Sequence, residues 1–206
     1  MNSYCLNLVN LNNRKYIHGT SIVKGIFDKL KDFQFDKISN FEIRLKKQLL
    51  TQPDMFILDQ EKYPDDAVCI GKFSLENTIK YFYLLSTNRP CTDILKIDES
   101  IIGTRLKESD SEWYMDVNDS DDIHVCFNQI SKISNQQLFA EQSHIVIEKD
   151  KQTWFVGYTL PSLQFINQSY FRIGISKQYK MLTPICMKRQ ITVNNIIVGD
   201  RTCIYS

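Results

Sequence analysis

Between Gln164 and Arg189 the chain gathers the side chains best suited to chemistry. Tyr170, Phe171 and Arg172 open a run of β-forming residues after Gln164, Asn167, Gln168 and Ser169, and Lys177, Lys180, Lys188 and Arg189 follow. An exposed aromatic ring beside an arginine can stack an unpaired nucleobase, amides and hydroxyls can bond its edges, and lysines can neutralise phosphates. The same residues also fit a plainer arrangement, in which Phe171 faces the core and the polar residues before it form a turn. Other chemistries lack their residues. The glycines at 19, 25, 71, 103, 157, 174 and 199 form neither GxGxxG nor a phosphate loop. His18, His124 and His144 are not at metal-ligand spacing, so neither a metal nor a cofactor is expected. Carboxylates crowd into Glu108, Asp110, Glu112, Asp116, Asp119, Asp121 and Asp122. A run so acidic reads as a loop or exposed rim, since a catalytic carboxylate pair needs burial to separate its two pKa values. No GxSxG nucleophile turn occurs.

The elements that must carry these residues are clearer in the first half. Tyr4 to Leu11 alternates through Tyr4, Leu6 and Leu8 and predicts a strand with one buried face. Ile22, Ile26, Phe27, Leu30 and Phe33 recur at helical spacing, predicting a helix capped near Thr20 or Ser21. Residues 38 to 45 alternate again through Phe41, Ile43 and Leu45. After a polar connection holding Pro53 and Pro64, Ala67 to Phe73 reads as a third strand, Ser74 to Ser86 as a second helix, and Thr92 to Ile97 as a short fourth strand. That order predicts an α+β fold whose N-terminal part, residues 1–105, is a ferredoxin-like βαββαβ unit. Residues 106–206 are expected to hold the acidic segment, a helix over Ile123 to Ala140, and a β-rich antiparallel lobe. In that lobe Ile145 to Glu148, Thr153 to Leu160, Tyr170 to Ser176, Ile191 to Val198 and Thr202 to Tyr205 read as strands, with a turn at Gly199-Asp200.

Composition excludes several classes and adds a charge pattern. The 206 residues are 43% hydrophobic and 24% charged, with 7 Gly and 5 Pro, which rules out collagen-like and wholly disordered chains. No apolar run reaches the roughly 18 residues of a membrane span, and the amino terminus lacks the basic-then-apolar pattern of a secretory leader. Six cysteines without a CxxC pair read as reduced thiols, and the chain as cytoplasmic. The net charge of +1 hides a polarity. Residues 1–50 carry 9 Lys+Arg against 4 Asp+Glu, residues 51–150 carry 9 against 19, and residues 151–206 carry 7 against 1. Two basic ends meeting in space would make a surface able to hold a polyanion; a solvated surface with uneven charge is the alternative.

Several patches also carry a family resemblance. They are Tyr4, the helix end Ile26-Phe-Asp-Lys-Leu-Lys-Asp-Phe33, the strand Asp36-Lys-Ile-Ser-Asn-Phe-Glu-Ile43, Ile70-Gly-Lys-Phe-Ser-Leu75, Gln168-Ser-Tyr-Phe-Arg-Ile-Gly-Ile-Ser176 and the closing Gly199-Asp-Arg-Thr-Cys-Ile-Tyr-Ser206. In order and spacing they resemble the repeat-RNA endoribonucleases of subtype I-F CRISPR systems. The resemblance implies a ferredoxin-like domain and a C-terminal portion that grips an RNA stem-loop. It also implies metal-free cleavage by the RNA's own 2′-hydroxyl, and retention as a subunit of the surveillance complex. On that pattern Phe171 stacks a base beside the scissile phosphate, and Gln164 and Asn167 position the ribose. Lys31 stands where the family has its general-base histidine, Gln164 where a serine is expected, and acidic 108–122 with nearly neutral 123–142 where an arginine-rich helix fills the groove. A lysine at its ordinary pKa of about 10.4 is a poor base at neutral pH, and His18 is the substitute. The competing expectation is a non-catalytic module that binds a basic protein, such as a CRISPR-complex mimic or an immunity protein, through its acidic rim.

Overall fold

The computed structural model describes the chain apart from residues 1, 13, 34–36, 97, 99–103, 119–120, 122–125, 127–128, 131–152, 164–170, 184–185 and 206. In chain order the described elements are β1 (Asn2–Cys5), β2 (Asn10–Leu11), α1 (Gly19–Leu30) with a 3-10 turn at Lys31–Phe33, β3 (Ile38–Leu45), β4 (Thr51–Leu58), β5 (Cys69–Leu75), β6 (Thr78–Pro90), β7 (Ile94–Leu95), β8 (Lys107–Glu108), β9 (Glu112–Val117), β10 (Thr153–Ser162), β11 (Phe171–Thr183), β12 (Cys186–Val193) and β13 (Ile196–Tyr205). They divide into two compact units. The first comprises Met1–Ile97 with Gly157–Ile166, the second Asp98–Val156 with Asn167–Ser206.

In the first unit an antiparallel sheet runs in the order β1-β4-β6-β5-β3-β10. Helix α1 buries Ile22, Ile26, Phe27 and Leu30 of the predicted stripe together with Val23, while Phe33 falls in the 3-10 turn and is only half-buried, and the helix packs Phe27 edge-on against Phe41 of β3 at 5.0 Å. Phe41 stacks on Phe82 of β6 at 5.9 Å, and Phe73 of β5 lies 6.3 Å from Phe82, so three neighbouring strands and the helix share one aromatic core. Each such ring removes about 150–250 Å² from water, which is the main attraction between helix and sheet. Two glycines permit close approach. A Cβ on Gly71 would collide with the Phe82 ring, and one on Gly25 with Leu8.

The ferredoxin-like expectation is corrected here. Ser74 to Ser86 is not a helix: β5 and β6 form a hairpin, with Leu75 opposite Thr78 and Glu76 and Asn77 between them at φ 48° and 68°. Two consecutive left-handed residues make the two-residue turn that suits strand twist. The 3.6-residue spacing misled because Phe82, Tyr83 and Leu84 are all buried in the middle of β6, so its burial does not alternate. The supposed polar connection contains β4. Its Pro53 sits where the pairing with β6 shifts register, so the missing N–H breaks no regular ladder, and its carbonyl accepts from Leu6 N–H at 3.2 Å. The predicted strand at 38–45 is present as β3, Ala67 to Phe73 as β5 two residues later, and Tyr4 to Leu11 as β1 and β2 with Leu6 and Leu8 buried between them. Of Thr92 to Ile97 only β7 pairs, in parallel with β2.

In the second unit antiparallel strands run in the order β13-β12-β11-β9-β8. One face carries Trp113, Met115, Val117, Phe171, Ile173, Ile175, Ile191 and Val193, all buried. The acidic segment is therefore not a loop: Glu112–Val117 is a paired strand whose apolar residues alternate with its charges. The turn expected at Gly199-Asp200 lies instead at Asn194 and Asn195, with φ 50° and 65°, and Gly199 falls within β13 beside a bulge in its pairing with β12. Of the predicted helix 123–140, Cys126, Gln129 and Ile130 are described, helical and buried; the rest, like Ile145 to Glu148, lies outside the described residues. Among the described residues no helix is long and apolar enough to cross a membrane.

Candidate functional site

Two places bring reactive side chains together, one in each unit. In the first, His18 caps α1 from an extended backbone (φ −68°, ψ 147°). Its Nδ1 lies 2.9 Å from Thr20 Oγ1 and accepts from Thr20 N–H at 3.4 Å. The bond from Thr20 N–H needs Nδ1 unprotonated and leaves the ring proton on Nε2; in the other neutral tautomer Nδ1–H donates to Thr20 Oγ1 in place of that bond, and Nε2 is the free acceptor. The half-buried ring sits beside the positive end of a helix, where peptide N–H groups favour negative charge. The capping role fell to the histidine rather than to Thr20 or Ser21, both buried in the first turn of the helix.

Lys31, the other residue with an expected catalytic role, lies at the opposite end of the same helix, about 20 Å along its axis at roughly 1.5 Å per residue. It caps the C-terminus, where a cation complements the helix dipole. Its side chain is 53% exposed and donates to Asp28 at 2.9 Å. Asp28 is partly buried, which pushes its carboxyl pKa up, but hydrogen bonds and charge from Lys24 and Lys31 more than offset this and hold it below the usual value. His18 and Lys31 therefore do not form one site.

In the second unit, the sheet face opposite the apolar one carries Glu112, Tyr114 and Asp116 of β9, Arg172, Gly174 and Ser176 of β11, and Thr192 of β12. Register makes them neighbours: Gly174 pairs with both Tyr114 and Thr192, Ser176 with Glu112, and Arg172 with Asp116. Thr192 Oγ1 donates to the Glu112 carboxylate across Gly174. A Cβ on Gly174 would stand 2.5 Å from that hydroxyl and 2.7 Å from the carboxylate, so the absent side chain is what lets the two meet. Arg172 lies over the Tyr114 ring at 4.1 Å and donates to Asp116 at 3.2 Å, while Lys107 donates to the other Asp116 oxygen at 2.7 Å. Hydrogen bonds from Lys107 and then Arg172 hold the Asp116 carboxyl below its usual pKa despite partial burial, and the two-pronged bond from Arg105 does the same for Asp121. Glu112, Tyr114, Arg172, Ser176 and Thr192, with Gln178 and Gln190, line a cleft of about 540 Å³.

Placement corrects the base-stacking role of Phe171. Its ring is 3% exposed on the apolar face, because β11 alternates and Phe171 shares the register of Ile173 and Ile175. Arg172, one residue on, points to the polar face. Arg189 is buried on the apolar side, with its guanidinium 4.7 Å from Trp113 and its Nε donating to the Ser176 carbonyl at 2.9 Å. Lys177 pairs with Glu108 at 2.6 Å and Lys188 with Asp200 at 2.8 Å, whereas Lys180 is exposed. The residues thus spread over both faces of one sheet. Gln164, Asn167 and Ser169 lie outside the described residues. The Glu112–Thr192 pair was missed, although strict alternation of Trp113, Met115 and Val117 with Glu112, Tyr114 and Asp116 was a legible strand signal.

No family model and no curated protein matches the sequence. Solved structures match the fold. A monomeric dehydratase domain from a trans-AT polyketide synthase split module superposes with TM-score 0.53 at 6% identity, covering 98% of this chain and 95% of that one. The tesB protein of Mycobacterium avium subsp. paratuberculosis gives 0.51 at 8% identity, covering 99% and 92%. A candidate thioesterase II from Thermobifida fusca gives 0.50 at 8%, covering 100% and 93%. The likeness is to the hotdog fold. It overturns the resemblance to CRISPR repeat-RNA endoribonucleases and, with it, the expected RNA-stem-loop binding and cleavage; the mimic or immunity-protein reading finds no support either.

Proposed function

We propose that this protein binds an acyl chain held in thioester linkage and hydrolyses that linkage. The observation that supports the reading is the fold, which over nearly the whole chain resembles solved proteins described as a polyketide dehydratase domain and a candidate thioesterase. The second name concerns thioester cleavage. His18 is the residue we assign to the chemistry. In this scheme the reactive tautomer is the one whose Nδ1–H donates to Thr20 Oγ1, and its Nε2 takes a proton from a water molecule as the water attacks the thioester carbonyl. The oxyanion that forms is stabilised at the positive end of α1, the C–S bond breaks, and the imidazolium returns the proton to the leaving thiolate. Water supplies the oxygen of the product acid, so no metal or cofactor enters the balance. A cytoplasmic location fits six cysteines that all carry free thiols.

The test is thiol release from medium- and long-chain acyl-coenzyme A by the full chain, followed with a thiol-reactive dye. We expect turnover with the parent protein and at least a hundredfold lower kcat for His18→Gln, a change that retains a side-chain acceptor for the helix cap and so spares folding. General acid–base groups contribute about 10²–10⁴-fold. Absence of both thiol release and acyl-coenzyme A binding by the folded parent would overturn the reading.

A further inference from the structure

The polar cleft of the second unit has no part in the hydrolysis just described, and its chemistry points to a different ligand. Its volume of about 540 Å³ lies within the 300–1,000 Å³ typical of small-molecule sites. Glu112 forms the floor and is 6% exposed. A carboxylate offers about four acceptor sites, yet among the described residues Thr192 is the one side chain that donates to it; Arg172 feels its charge but makes its ion pair with Asp116. The carboxylate oxygen that Thr192 does not hold is not among the buried atoms without a partner, so it is accessible and can accept from donors that enter the cleft. Around it the exposed amides of Gln178 and Gln190 can each donate and accept.

The surroundings decide which donors fit. An apolar chain would find only Ile197 and the edge of Tyr114. A phosphate would face the Glu112 charge, and the arginine nearest it is already tied to Asp116. An ammonium group would meet Arg172 lying on the Tyr114 ring, the surface a cation would otherwise use. A neutral ligand with several hydroxyls satisfies every wall. We propose that this cleft binds a polyhydroxylated ligand, a sugar ring, whose adjacent hydroxyls donate to Glu112 while Gln178 and Gln190 bond the remainder of its edge. The inference is independent of the thioester reading.

Titration calorimetry on the full chain tests it, with methyl α-D-glucopyranoside, methyl α-D-mannopyranoside and D-ribose as probes and inorganic phosphate and tetramethylammonium as counter-probes. The expected result is saturable binding of at least one sugar, weakened at least tenfold in Glu112→Gln. Gln190→Ala, a change at an exposed position that leaves folding intact, is expected to weaken it severalfold and serves if the Glu112 variant does not fold. The inference is overturned if no sugar saturates, if phosphate or tetramethylammonium binds in place of the sugars, or if affinity is unchanged in a folded variant.

Discussion

The two units solve the same problem, an antiparallel sheet with one buried face, by different means. In the first, apolar packing dominates: Phe27, Phe41, Phe73 and Phe82 interlock, and charged groups such as Lys24, Asp28, Lys31 and Asp32 sit on the exposed side of α1 in pairs three or four residues apart. In the second, the apolar face is matched by an organised polar one, where Asp116 joins Lys107 and Arg172 and Glu112 holds Thr192. Exposed ion pairs are worth little because water competes for both partners, whereas partly buried ones lock side chains at fixed positions. A rigid polar surface is what ligand recognition requires.

The contrast can be broken most forcibly at the aromatic core. Phe82→Ala is expected to destabilise the protein by about 3–5 kcal/mol in urea unfolding, the cost of a large cavity; a loss below 1 kcal/mol would show that the aromatic stack does not hold the first unit together. Acid should next distinguish the units. Asp116 and Asp121 have depressed pKa values in the folded state. Their contribution is therefore present above the unfolded value of about 3.9 and is lost as pH falls through the lower folded values. Hydrogen exchange should then show β9 and β11 losing protection before β3 and β5, and the reverse order would sink the comparison. The smallest effect is expected from Lys31→Ala, within about 0.5 kcal/mol because its pair with Asp28 is exposed, as chemical denaturation can verify.

How far the sequence could be read varied with the physics of each segment. Helix α1 and strand β3 were legible because each buries one face, so hydrophobic period reports structure directly. Strand β6 was not, since a strand buried on both sides in its middle leaves no period and borrows the spacing of a helix. Strand β9 was hidden by its carboxylates, which suggested repulsion until Arg105, Lys107 and Arg172 were seen beside them. The β5–β6 and β12–β13 turns each hold an asparagine with left-handed backbone, in Glu76-Asn77 and Asn194-Asn195, a signal weaker than glycine. Of the candidate residues, His18 entered the sequence reading as a substitute base for RNA cleavage, while Glu112 was passed over as one acid among many.

Local pattern alone therefore determined where α1 and β3 lie, which of their faces turn inward, and that the middle of the chain is acidic while its ends are basic. Tertiary structure alone decided that Phe171 is core, that Gly174 lets Thr192 reach Glu112, and that the acidic run is a paired strand. Those facts depend on cross-strand register between residues as much as 80 positions apart, and no local period encodes which distant partner a strand will find.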